Sequence, residues 1–266
     1  MHLWYEHLLD RQKPFAASGR AVAAALLAAL LLFTVPGVLA EDGEEPFAVS
    51  FAGPAGYPAP DVPESAAVDD SYFRGAVLVG DSMAESFDIY GVVPELTVIS
   101  EIGASARTAH DYSIFEVDGQ SYKLRDLLAQ MNPPIVYLWL GSNGVDAKPS
   151  AQVLEDYERL LNQLIPALPD TLIYCMALPP VHALALEQYP NYTNARVDAF
   201  NEGLRELCKS HGVYFLDITG LLRHESGELD VEYAAGDGIH LKRAAYDLLA
   251  NYLYTHTIPV ERTEEP

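Results

Sequence analysis

Ser82 stands in the stretch AVLVGDSMAESF, directly after an apolar run from Ala76 to Val79 and at the start of a helical pattern. A serine hydroxyl is a weak nucleophile until a base takes its proton. His240 is a candidate base. Asp237 precedes it by three residues in DGIH, a spacing that brings carboxylate and imidazole together across one turn. Such a carboxylate holds one ring nitrogen and stabilises the imidazolium, leaving the other nitrogen to deprotonate serine. Acyl transfer also needs donors aimed at the oxyanion that develops. The Asn143 side-chain amide can supply one, and the backbone N–H groups of Ser82 and Gly103 two more. A glycine lets backbone approach substrate without a side chain in the way. Taken singly, each feature has an ordinary alternative. Ser82 or Asp81 reads as a helix cap, DGIH as a surface turn, and Gly103 and GSNG as loops that end strands.

The elements that would carry these residues argue for reading them together. From Arg74 onward, short apolar runs alternate with helical patterns. The candidate strands are 76–80, 96–102, 135–141, 171–177 and 213–218, rich in Val, Ile, Leu and Tyr and nearly free of charge. Strands that are apolar on both faces belong in a parallel sheet covered by helices. The intervening helices carry apolar stripes: LRDLLAQM; SAQVLEDYERLLNQLIPAL, with Ser150 as its expected cap; NARVDAFNEGLRELCKSHG, ended by Gly212; and LKRAAYDLLANYLYTH. This alternation predicts a doubly wound, three-layer α/β/α sandwich around a central parallel five-stranded sheet. Ligands bind such sheets beyond the carboxyl ends of the strands. Ser82, Gly103, Asn143 and the Asp237–His240 pair all fall in loops at that rim. Nucleophile, oxyanion donors and acid–base pair are then each present once, and none is missing. Asp81 is left as a local structural hydrogen bonder.

In this order and at these spacings, GDS at 80–82, Gly103, GSN at 141–143 and DGIH at 237–240 resemble the four blocks of the SGNH, or GDSL-type, hydrolase family. The resemblance covers about Arg74 to Thr257. It implies a flavodoxin-like SGNH hydrolase fold, with Ser82 as nucleophile, His240 as base and Asp237 as its orienting acid. Ser82, Gly103 and Asn143 would form the oxyanion hole. Met83 stands where the family often has Leu, a conservative change. Gly144 stands where many members have Asp, which leaves the four functional blocks intact but touches loop geometry and substrate contacts. The expected activity is that of a serine esterase on carboxylic esters, with O-acyl groups of carbohydrate polymers or lipid esters as substrates and short acyl chains favoured. It requires no metal and no organic cofactor. An O-acyltransferase acting on cell-wall or other carbohydrate would carry the same four blocks. A non-catalytic, membrane-tethered binding domain is the third reading, and the loss of a triad member would favour it; none is lost.

The rest of the chain sets the context. Ala21 to Ala40 contains no charge, follows Arg11, Lys13 and Arg20, and precedes EDGEE. Its length suits a spanning helix with the N-terminus inside. VLA before Glu41, with Pro36-Gly37 behind it, equally suits a cleaved signal peptide. Both outcomes place the main domain outside the cytoplasm, anchored in the membrane or secreted after Ala40. The expected organisation is an N-terminal segment 1–20, the apolar helix 21–40, a Pro/Ala/acidic tether 41–72 with part of it wrapping the domain, the hydrolase domain 73–258 and a tail 259–266. Net charge is −22, which argues against nucleic acid as a partner. Cys175 and Cys208 lie in apolar and helical stretches and read as buried thiols rather than as a disulfide. No CxxC or HExxH spacing points to a metal. The loop Leu178 to Asn194, with Tyr189 and Tyr192, reads as a plain loop or as a cover for the acyl pocket. His182 and His224 lack an acid in the right order and read as surface residues, and Trp139 as core.

Overall fold

The computed structural model of the chain describes residues 58–260. The apolar run 21–40, expected as an anchor or signal helix, lies outside them, as does most of the tail. Among the described residues, no helix is long and apolar enough to cross a membrane.

All five strands expected for the sheet are present: β1 Val77–Gly80, β2 Thr97–Ser100, β5 Ile135–Trp139, β6 Leu172–Met176 and β7 Tyr214–Leu216. They pair in parallel in the order β2-β1-β5-β6-β7. Every residue of β1, β5, β6 and β7 is buried, as strands covered on both faces must be, whereas the edge strand β2 is partly exposed. Tyr137 and Tyr174 on neighbouring strands stack at 4.9 Å between ring centres within this core. The chain runs from β1 to one side at β2 and returns to the other side at β5. The crevice between the carboxyl ends of β1 and β5 is therefore the topological switch point, where such sheets bind ligands.

Eight helices complete the layers among the described residues: α1 Ser82–Tyr90, α2 Ala106–Asp111, α3 Leu124–Met131, α4 Ser142–Val145, α5 Ser150–Ala167, α6 Asn194–His211, α7 Thr219–Leu222 and α8 Arg243–Thr255. α1 packs with α8, where Phe87 meets Tyr246 edge-on at 5.3 Å. α2, α3 and α6 pack around α5. Buried Val153, Tyr157, Leu160, Leu161 and Leu164 form the inner stripe of α5. Gly212 ends α6 in the left-handed conformation, as expected. Ser150 does not cap α5. Pro149 is the capping residue, and the Ser150 hydroxyl donates instead to the Arg196 carbonyl at 2.9 Å.

One element goes beyond the expected alternation. β3 Phe115–Val117 and β4 Gln120–Tyr122 form a separate antiparallel hairpin. Its turn is Asp118-Gly119, both at positive φ, the combination a tight hairpin requires. The described part of the stretch 41–72, part of which was expected to wrap the domain, packs along it. Phe215 N–H donates to the Pro60 carbonyl at 2.7 Å, Ser65 N–H to the Thr255 carbonyl at 2.7 Å, and Val62 is buried. Cys175 and Cys208 are buried free thiols.

Candidate active site

The β1–α1 turn presents Ser82. Gly80 must be glycine there, because a Cβ would lie 2.5 Å from the Ala84 Cβ and 2.6 Å from the Trp139 carbonyl oxygen. Asp81 caps α1 by accepting from Met83 N–H at 2.9 Å, and Ser82 takes the first helical position, whose N–H has no intrahelical partner. From the other side, the Tyr246 hydroxyl of α8 donates to the Met83 carbonyl at 2.9 Å and holds the first turn of α1 in place.

The loop before α8 brings the acid–base pair to the same point. Ser82 Oγ lies 3.0 Å from His240 Nε2, and His240 Nδ1 lies 2.5 Å from Asp237 Oδ2. The second Asp237 oxygen accepts from the backbone N–H groups of Ile239 at 3.0 Å and His240 at 2.9 Å. Burial pushes the Asp237 carboxyl up. The His240 hydrogen bond and charge, with the two backbone donors, outweigh it and hold the group at about 2. Burial likewise disfavours the His240 imidazolium, but the Asp237 contact and the charges of Asp237 and Asp81 leave it above its ordinary value. Gly238 lets this turn sit close to the 178–194 loop. It has φ +74°, and a Cβ there would lie 2.7 Å from Ala185 N and 3.1 Å from the His182 carbonyl oxygen. His182 N–H donates to the Gly238 carbonyl at 2.9 Å. The loop is itself pinned by Asn194, which bonds Val181 N–H and C=O, and by Asn201, which does the same for Leu178. It thus seats the acid–base turn. Tyr192 is buried within it, and its hydroxyl is pushed well up by burial and by the charge of Asp81.

Gly103 and Asn143 come from the loops after β2 and β5, on either side of β1. Gly103 has φ +81° and nothing within 4 Å of where a Cβ would be, so its glycine answers to backbone conformation and open approach rather than to packing. Asn143 Nδ2 donates to Asp81 Oδ2 at 3.0 Å and to the Ala104 carbonyl at 3.0 Å, which joins the two loops. Ser142 Oγ makes a very short hydrogen bond to the same Asp81 oxygen. Asp81 therefore does more than its expected local role, because it ties the ends of β1 and β5 together. Burial raises its carboxyl pKa, while the hydrogen bonds from Ser142, Met83 and Asn143 and the nearby His240 act in the opposite direction. The sequence marks Asp81 only as a cap, and Ser142 beside Asn143 is the one signal that a second polar contact waits there. Gly144 has a packing reason, since a Cβ would lie 2.8 Å from Val153 Cγ1.

The five residues expected at the site thus reach one rim. Ser82, His240 and Asp237 form a continuous hydrogen-bonded row, and Asn143 is tied to the loop that carries Gly103. The histidines at 182 and 224 do not join them. His182 Nδ1 accepts from Leu184 N–H and His224 Nδ1 from Ser226 N–H, each within its own turn. Trp139 is buried in the core and donates to the Ala177 carbonyl at 3.0 Å. Among the described residues, no cluster of three or more His, Cys, Asp or Glu side chains is arranged to hold a metal ion.

The fold is similar to that of a protein from Bacteroides fragilis described as an acylhydrolase, with a TM-score of 0.53 and 15% identity over 72% of this chain and 88% of that one. A GDSL-like lipase from Bacteroides thetaiotaomicron gives a TM-score of 0.51 and 14% identity, over 71% and 89% of the two chains. A Streptococcus pneumonia protein described as a platelet activating factor gives 0.53 and 19%, over 68% and 82%. No curated protein sequence matches the chain. Residues 78–248, more than half of the chain, match the GDSL-like Lipase/Acylhydrolase family. With all four blocks inside that span, the chain belongs to the GDSL-like lipase/acylhydrolase family and is a hydrolase of ester bonds.

Proposed function

We propose that the chain is an extracytoplasmic serine esterase that removes short O-acyl groups through Ser82, His240 and Asp237. The observation that carries this reading is the unbroken row Ser82 Oγ–His240 Nε2 at 3.0 Å and His240 Nδ1–Asp237 Oδ2 at 2.5 Å. His240 Nε2 takes the Ser82 proton as Oγ attacks the ester carbonyl. The electron pair of the C=O moves onto oxygen, and the oxyanion is met by the N–H groups of Ser82 and Gly103 and by Asn143 Nδ2. The Asn143 hydrogen now given to the neutral Ala104 carbonyl passes to the oxyanion, because a charged acceptor forms the stronger hydrogen bond. As the tetrahedral centre collapses, imidazolium gives its proton to the departing alkoxide, and an acyl–Ser82 ester remains. Water, deprotonated by His240, attacks that ester. The carboxylic acid leaves and Ser82 recovers its proton. Asp237 keeps Nδ1 protonated throughout and offsets the imidazolium charge.

The charge-free run at 21–40, with its basic flank, supports placement outside the cytoplasm as an anchored or secreted enzyme. Esters reachable there include O-acyl groups on carbohydrate polymers and lipid esters. Full-length protein should cleave p-nitrophenyl acetate, and Ser82→Ala should lower kcat by roughly 10⁴-fold or more with an unchanged circular dichroism spectrum. Turnover retained in Ser82→Ala overturns the assignment.

A further inference from the structure

Beside the oxyanion loops lies a cavity of about 370 Å³, at the small end of the range for ligand sites. Asn143, Gly144 and the turn with Lys148 form one wall, α2 and its flanking residues a second, and Val153 and Asp156 of α5 a third. No part of the acid–base turn borders it. Asn143 is therefore common to the cavity and to the proposed oxyanion hole, so the two adjoin at that residue.

The charge of the walls runs against the rest of the molecule. The chain has 38 acidic and 16 basic residues, yet the cavity is lined by two cations, Arg107 and Lys148, and one carboxylate, Asp156. Asp156 is already neutralised, by Lys148 Nζ at 2.8 Å and by Arg159 at 3.7 Å. Among the described residues, Arg107 pairs only with Asp111, 3.9 Å away and four residues on in α2, with both side chains about half exposed. Such a pair is worth little in water, so the guanidinium is available to a better partner. Its planar fork matches a carboxylate or phosphate with two parallel hydrogen bonds. Half-exposed Tyr112 adds an apolar face at the mouth. Gly144 contributes by omission. An Asp there would add a negative charge to this wall and would also collide with Val153.

We propose that this cavity receives an anionic group, a carboxylate or phosphate carried by the ester substrate, with Arg107 as its principal partner and Lys148 beside it. The proposal rests on the esterase reading for the identity of the substrate, but not for the binding of the anion. The anion can sit on the acyl arm or on the alcohol arm, and two pairs of esters separate these. Mono-p-nitrophenyl succinate against p-nitrophenyl butyrate places charge on the acyl side. 4-Carboxyphenyl acetate against 4-carbamoylphenyl acetate places it on the alcohol side. In the full-length protein, kcat/KM should favour the anionic member of one pair, against the repulsion of a chain of net charge −22. Arg107→Glu should reduce that preference by about tenfold or more, the scale of a hydrogen bond to a charged group. Lys148→Met should reduce it less, because Asp156 keeps Arg159. Arg107 is surface-accessible, so its variant tests the cavity even if Lys148→Met folds poorly. No anionic preference in either pair, or a preference that survives Arg107→Glu, overturns the proposal. Calorimetric titration of Ser82→Ala with the same four esters separates this failure from that of the esterase reading. If the native protein cleaves none of the esters, the serine-esterase reading falls, and Arg107-dependent binding of the anionic member still upholds the cavity, while charge-blind binding removes it.

Discussion

The two arms of the site are built in opposite ways. The acid–base arm is local: Asp237 reaches His240 within one turn, and its second oxygen is held by the backbone of that same turn. The oxyanion arm is assembled from three loops. Asp81 after β1, Ser142 and Asn143 after β5, and Ala104 after β2 meet through side-chain hydrogen bonds across the sheet. The local arm is partly open to solvent, and its carboxyl is held low at about 2. The cross-sheet arm has a fully buried carboxylate whose pKa is raised. A short loop can hold its own charge pair wherever it is placed, so the fold need only aim it. A charge that joins three loops has to be buried to do so, and its protonation and geometry then belong to the whole sheet.

The largest test of this contrast is Asp237→Asn. The amide keeps the shape of the turn but no longer enforces the tautomer with Nδ1 protonated, and kcat should fall by roughly 10⁴-fold in ester hydrolysis. A loss below tenfold would mean that His240 is oriented by something other than its local partner. On the other arm, Asn143→Ala should lower kcat by roughly 10²- to 10³-fold with little change in KM. Asp81→Asn, which leaves the oxyanion donors in place and disturbs the bonds that hold Asn143, Ser142 and the start of α1, should cost about tenfold, mostly in kcat. If Asp81→Asn cost as much as Asn143→Ala, the cross-sheet carboxylate would be indispensable rather than supporting, and the two arms would be more alike than their geometry suggests.

Gly238→Ala probes what aims the local arm. Its φ of +74° and the 2.7 Å approach to Ala185 N predict a loss of roughly 1–3 kcal/mol, read as a lower melting temperature. It should also reduce kcat, as the turn withdraws from the 178–194 loop. An unchanged melting temperature would show that this loop does not seat the turn. The smallest effect is in pH. His240 must be neutral to accept the serine proton, and its pKa lies above 6.5, so kcat/KM should rise with pH through a limb centred above 6.5. Asp237→Asn should move the limb downward, and a limb that stays in place would show that Asp237 does not set it. The same pair contributes to stability with opposite signs. The His240 part is complete below 6.5 and is lost as pH rises through its folded pKa. The Asp237 part is complete above 3.8 and is lost as pH falls towards 2.

Much of this was legible in the chain. The five sheet strands could be read because each buries both faces, so that runs such as IVYLW and LIYCM are apolar without interruption. Asp237 and His240 were legible as a pair because their contact spans three residues, and Ser82 could be read as more than a cap because Gly103, Asn143 and that pair follow strand ends at the same rim. Other features were not legible. The hairpin at 115–122 escaped because its strands are short and β4 is largely polar, which left only the Asp118-Gly119 turn as a signal. Ser150 has the right chemistry for a cap, yet tertiary packing gave its hydroxyl a partner on α6.

By itself, then, the sequence determined what neighbouring residues settle between them: strand and helix, a capped turn after β1, a carboxylate against an imidazole. Only the tertiary structure decided that Asp81 would reach Ser142 and Asn143, that the 178–194 loop would seat the acid–base turn, and that Arg107 and Lys148 would meet at one cavity beside Asn143. The reason is physical. A contact within a turn is closed by a few backbone torsions, while residues tens of positions apart are joined only when a sheet order and a set of packed helices have already fixed where each loop begins and ends.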